Sequence, residues 1–184
     1  FYENWYIDPT KSSDTLSESL LSNRIFVQFV PYNREGVVGT VDGGLGWDHH
    51  QYFQFRMDDY LSGYHTDKFN TYYAYADAKG FFGKWLDWHG RMRVNMAGYR
   101  AGDLNINADA KLRLFIKERP ITLSGSLSYA LQSPSYWEQN YFSNHFAWSN
   151  NFSRQNITEL KIALEIPHTG TKVGFNQALI GNPI

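Results

Sequence analysis

Three stretches of the sequence bring metal-ligating or phosphate-binding residue types together. Asp103-x-Asn105-x-Asn107 supplies oxygen donors at the opening spacing of a calcium-binding loop. Such a loop needs Gly at its sixth position for the turn and a bidentate Glu at its twelfth. Ala108 and Leu114 stand there instead, so that chemistry fails. His49-His50 beside Asp48, with His65 further on, offers imidazoles to a metal. Adjacent residues of a strand point to opposite faces, so the pair is poorly placed to chelate one ion. Gly43-Gly44-Leu45-Gly46 has no following helix pattern and no Lys-Ser/Thr, and so is no phosphate cradle. Glycines in a strand more often mark a kink or a close approach of backbones. No metal and no cofactor is expected. No Ser/His/Asp order or close carboxylate pair stands out, and the chain is read as not an enzyme.

The polar residues that remain form a pattern, and the pattern belongs to strands. From Asp103 to Lys117, Leu104, Ile106, Ala108, Ala110, Leu112, Leu114 and Ile116 fall on one face. Asn105, Asn107, Asp109, Lys111 and Arg113 fall on the other, and only Phe115 breaks the alternation. At helical spacing these polar groups would scatter round a cylinder, so period two means strand. Before it, Trp88, Met92, Val94 and Met96 oppose His89, Arg91, Arg93 and Asn95. After it, Ile121 to Gln132 and Glu159 to Ile166 repeat the design, with weaker strands through Arg24–Val30, Val37–Phe55, Phe69–Lys79, His145–Phe152 and Thr171–Leu179. The reading gives about nine strands and no helix, an all-β antiparallel fold.

The bulk composition narrows the class. A chain of 184 residues is one domain. With 17 basic and 18 acidic residues there is no electrostatic footprint for nucleic acid. Cysteine is absent, while aromatics reach 17%, heavy for a soluble domain. No run approaches the ~20 apolar residues of a membrane helix. A transmembrane barrel escapes that test because its strands alternate. The chain opens on Phe1-Tyr2-Glu3-Asn4 with no basic-then-apolar leader, so residue 1 reads as a mature N-terminus or an internal point of a longer chain.

Alternation alone fits a soluble barrel with an apolar interior as well as a membrane barrel with a polar lumen. Three features favour the membrane. Several strands exceed the five or six residues usual in soluble proteins and reach the ~9–11 that cross a bilayer at a tilt. Aromatics crowd strand ends, Phe81, Phe82, Trp85 and Trp88 at one and Tyr136, Trp137, Tyr141, Phe146 and Trp148 at another. Amphipathic rings favour the membrane–water boundary, which makes Trp85, Trp88, Tyr136, Trp137 and Trp148 candidates for an aromatic girdle. Mixed charge on the polar faces suits a wet lumen, with Arg91, Arg93, Asn95, Asn105, Asn107, Asp109, Lys111 and Arg113 as lumen-facing candidates. Connections are tight at Tyr32–Gly36, Lys117–Pro120 and Ser153–Asn156 and long at Met57–Lys68 and Ser133–Asn144. Short turns on one side and long loops on the other characterise outer-membrane barrels. The rule is imperfect here, since the Arg100–Asp103 connection is short and should lie on the long-loop side. The alternative is a soluble β-sandwich or barrel that binds carbohydrate or lipid on exposed aromatics such as Trp137 and Tyr141.

Three places carry a family resemblance: Ser19-Leu20-Leu21-Ser22-Asn23-Arg24 leading into a strand, the step Gly102 to Ala110, and Ser133-Pro134-Ser135-Tyr136-Trp137 running on to His145-Phe146-Ala147-Trp148. From about Leu20 to Leu179 the chain resembles the putative porins of Bacteroidetes-type bacteria. The resemblance implies an outer-membrane β-barrel with a pore or transport role, in contact with outer-membrane lipid and with other outer-membrane proteins as further partners. It implies no catalytic residue. Members are longer, nine strands are an odd count, and the C-terminal Asn182-Pro183-Ile184 lacks the usual terminal aromatic. The expectation is an internal barrel section, with residues 1–23 as leading loop or hairpin end and 24–184 as barrel.

Overall fold

The computed structural model describes residues 5–6, 8–12, 14–30, 37–54, 66–116 and 119–183. The alternating segments form one antiparallel sheet of eight strands. These are β1 (Leu16–Phe29), β2 (Thr40–Gln54), β3 (Thr66–Phe82), β4 (Leu86–Gly98), β5 (Leu104–Ile116), β6 (Arg119–Gln132), β9 (Gln155–Ile166) and β10 (Thr171–Gly181). Between β6 and β9 lie a single helical turn, α1 (Tyr136–Gln139), and a two-stranded ribbon of β7 (Asn140–Phe142) and β8 (Ala147–Ser149). The sheet runs β1-β2-β3-β4-β5-β6-β9-β10, so its strands pair in chain order, with β7 and β8 set aside between β6 and β9. Among the described residues β1 and β10 each have one partner, and the sheet does not close.

Register fixes the two faces, because residues directly opposite share one. One row reads Leu86, Leu112, Leu123, Leu164, Val173 across β4, β5, β6, β9 and β10. The next row on the other face reads Asp87, Lys111, Ser124, Ala163, Gly174. Phe115, the residue that breaks the alternation, sits on the polar face opposite Pro120. Its ring meets the edge of Trp85 at 5.4 Å, at the turn between β3 and β4.

Several expectations change. β1 begins at Leu16 instead of Arg24, so part of the supposed leading segment is strand. The segment 145–152 is no strand of the sheet. Ser143 and Phe146 close a tight turn there, with Ser143 N donating to Phe146 O at 2.8 Å, and only Ala147–Ser149 is extended. Among the described residues the principal sheet therefore has eight strands, an even count. Ser153–Asn156 is not a separate tight connection either; it is the end of the single long connection between β6 and β9, and Gln155 already belongs to β9. Short connections lie at one end of the sheet, over 83–85 and 167–170. At the other end, 133–154 shares its side with the short turn 99–103, which remains the exception to the asymmetry. Residues 32–36, 57–65 and 117–118 lie outside the described residues.

Candidate functional site

The sheet curls so that its polar face encloses an open cavity of about 1850 Å³, lined from Arg24 and Phe26 on β1 to Asn176 on β10. Register places all eight lumen-facing candidates on this concave face. The arginines among them are held by aspartates of neighbouring strands. Arg93 lies over the Tyr73 ring at 3.6 Å, donates through Nη2 to Asp48 at 2.6 Å and through Nε to Asn95 at 3.1 Å. Asp48 also accepts from Ser22 Oγ at 2.5 Å. Gly46 makes the stack possible: a Cβ there would lie 2.1 Å from Tyr73 Cζ. Arg91 donates from Nε to Asp77 at 2.7 Å, and His89 Nε2 meets the same carboxylate at 3.0 Å. His89 Nδ1 stands 3.9 Å from Asp109. Arg113 pairs with Asp87. Asn107 donates to Asn105 at 3.0 Å. Lys111 lines the cavity, and among the described residues it has no carboxylate partner.

The long β6–β9 connection crosses the opposite mouth and docks on β1, β2 and β3. Asp103 anchors its start by accepting from Ser133 N and Oγ at 2.9 and 2.7 Å. Ser135 then caps α1: its hydroxyl accepts from Glu138 N at 3.3 Å while its own N donates to the Glu138 carboxylate at 2.7 Å, a reciprocal capping box. That fixes the direction of Tyr136, which stacks on Tyr52 at 4.2 Å, donates to Asp67, and is 2% exposed. Gln54 clamps the connection from both sides of its amide, giving Nε2 to Tyr136 Oη at 3.2 Å and accepting from Phe142 N at 2.8 Å. Trp137 Nε1 donates to Glu18 on β1 at 3.3 Å. Buried Asn144 ties the ribbon to the N-terminal segment, receiving from Asp8 N at 3.0 Å and donating to Asp8 O at 2.9 Å.

The convex face reverses the usual burial rule. Among the described residues the buried hydrophobic ones are three tyrosines, Tyr52, Tyr73 and Tyr136, and none is aliphatic. Ile25, Val27, Leu45, Leu127, Ile162, Val173 and Leu179 all stand exposed on the outside, Ile25 at 82%. Asp48, His50, Gln54, Thr71 and Asn95 are buried on the concave side. A soluble barrel would show the opposite arrangement.

With this geometry in view, comparison with known families decides the kinship: the family described as putative porin matches residues 1–184, the whole chain. The chain belongs to the putative porin family. No curated protein and no solved structure matches it. In this porin-family chain the girdle candidates separate. Trp88 lies outward across Gly80, where a Cβ would meet its Nε1 at 2.7 Å, and donates to Val37 O at 3.0 Å. Trp85 sits at the β3–β4 turn and Trp148 on the ribbon, stacked on Tyr141 at 4.3 Å. Tyr136 and Trp137 belong to the concave side, in the cover over the mouth: the capping box turns them inward onto Tyr52. Outward aromatics missed by the sequence reading are Trp47 and Tyr72, cross-strand partners at the edge of the apolar band. Beyond them the outer face turns polar, with His49 opposite Asn70 and Gln51 opposite Lys68. The spacing Val41, Leu45, Trp47 on β2 carried that signal, and the glycines between them diluted it. His49 is thus outside and His50 inside, while His65 lies outside the described residues.

Proposed function

We propose that this chain forms a section of an outer-membrane β-barrel wall whose concave face lines a water-filled passage for small polar solutes. The inverted burial carries the reading. An aliphatic band exposed on the convex face has a solvent only in lipid, and a face of paired charges and amides has one only in water. The match to a porin family supports the same location and a channel role without chemistry.

The curvature supports a barrel wider than eight strands. Eight strands closed on themselves leave an interior just wide enough for their own side chains. Here some 1850 Å³ stays open between the walls. Unpaired edge groups cost several kcal/mol each in hydrocarbon, so β1 and β10 require further strands at their free edges. The covered mouth favours one second reading, a wall that scaffolds an outer-membrane assembly and conducts nothing. Planar-bilayer recording of the complete polypeptide separates the two: stepwise conductance supports the passage, and correct insertion without conductance leaves the scaffold.

A further inference from the structure

We propose that the concave face is a recognition site for small anionic solutes, carboxylates and phosphates, and that Arg24, Lys79 and Lys111 are the groups that meet them. The proposal rests on the reading of this face as a water-filled passage. It comes from sorting the cavity's charges by partner. Arg91, Arg93 and Arg113 are each committed to an aspartate. Lys161 is held by Glu159 at 2.7 Å. His89 lies between Asp77 and Asp109. Among the described residues, removing these leaves Arg24, Lys79 and Lys111 as cavity-lining cations with no carboxylate partner, against Asp42 with no basic partner and Asp109, whose basic neighbour is the His89 ring at 3.9 Å.

The surroundings of the free cations suit an anion. Arg24 lies 5.6 Å from the Phe26 ring centroid and 5.5 Å from that of Tyr75, so aromatic faces steady its guanidinium where an acid would otherwise neutralise it. A guanidinium held that way keeps its paired N–H groups for a carboxylate or phosphate. Lys111 faces Asp87 and Ser124 across its two neighbouring strands, and Asp87 is already taken by Arg113. Lys79 faces Thr40 and His89. Both lysines are exposed to the cavity, and Lys111 lies toward the short-turn end, which the cover does not cross. An anion entering there meets lysines first and Arg24 deeper.

The test uses the complete polypeptide and two readouts. The first is the chloride-to-potassium permeability ratio in planar bilayers, and the second is saturable broadening of the inorganic phosphate ³¹P resonance by the detergent-solubilised protein. Arg24→Gln/Lys79→Gln/Lys111→Gln should lower the permeability ratio by about threefold, allowing for Debye screening over ~8 Å, and should abolish the broadening. Glu159→Gln/Lys161→Gln, which removes a neutral pair, should change neither. Unchanged selectivity in the triple variant, or phosphate broadening that survives it, overturns the site. Wild-type protein that carries no current but binds phosphate through these three residues sinks the passage and leaves the site standing.

Discussion

Leu127 stands near the middle of the convex face, and an arginine there measures what that face touches. Its row neighbours are Ala108 on β5 and Leu160 on β9, and it is 48% exposed. β6 has 14 residues; at ~3.4 Å per residue and a tilt near 40° such a strand spans roughly 35 Å along the membrane normal, more than the ~25 Å apolar band. Leu127 lies within about 5 Å of the strand's midpoint by the same rise, which on the proposed membrane reading puts its side chain near the bilayer centre. Leu127→Arg should therefore cost about 2–4 kcal/mol. Ser126, the next residue, points the other way, between Asp109 and Lys161. Ser126→Arg puts a cation in water between one acid and one base and should cost less than about 1 kcal/mol. Reversible urea unfolding of the complete polypeptide from liposomes, followed by tryptophan fluorescence, reads both. Equal losses at 126 and 127 would refute the assignment of faces.

Two further outcomes follow from the packing. Gly46→Val should displace the Tyr73 ring from under Arg93 and cost about 1–3 kcal/mol, whereas Gly125→Ala should be near neutral because nothing lies within 4 Å of the added Cβ; equal effects in urea unfolding would deny the Gly46 stack its role. Tyr136→Ala combined with Gln54→Ala removes the stack and the clamp that hold the cover and should raise single-channel conductance, on the order of twofold. Unchanged conductance would show that the cover does not limit passage.

The legible part of this chain is the part that local periodicity dictates. β4, β5, β6 and β9 announced themselves because every second residue of each meets the same surroundings, and the eight polar candidates fell on one face for that reason. What stayed hidden was non-local. The arginines read as free lumen charges find Asp48, Asp77 and Asp87 on neighbouring strands, and only register can make those pairs. Tyr136 looks like a boundary aromatic by type, but the capping box that flanks it, Ser135 to Glu138, turns it onto Tyr52. Trp47 and Tyr72 meet across strands joined through residues 55–65, and the four-residue glycine-rich run Gly43–Gly46 masks the alternation that leads to Trp47. The family resemblance supplied the barrel, whereas residue pattern alone left the soluble alternative open.

On the proposed reading one face of the sheet meets lipid and the other meets water. These 184 residues contain no cysteine, so once any cysteine elsewhere in the complete polypeptide is replaced, single cysteines placed one at a time from Ile121 to Ser128 carry a nitroxide label at unique sites. In liposomes of the complete polypeptide, collision with oxygen should peak at 121, 123, 125 and 127, and collision with a water-soluble nickel chelate at 122, 124, 126 and 128. Uniform access to the nickel chelate along the whole run, or the two profiles in phase, would contradict a membrane-facing sheet.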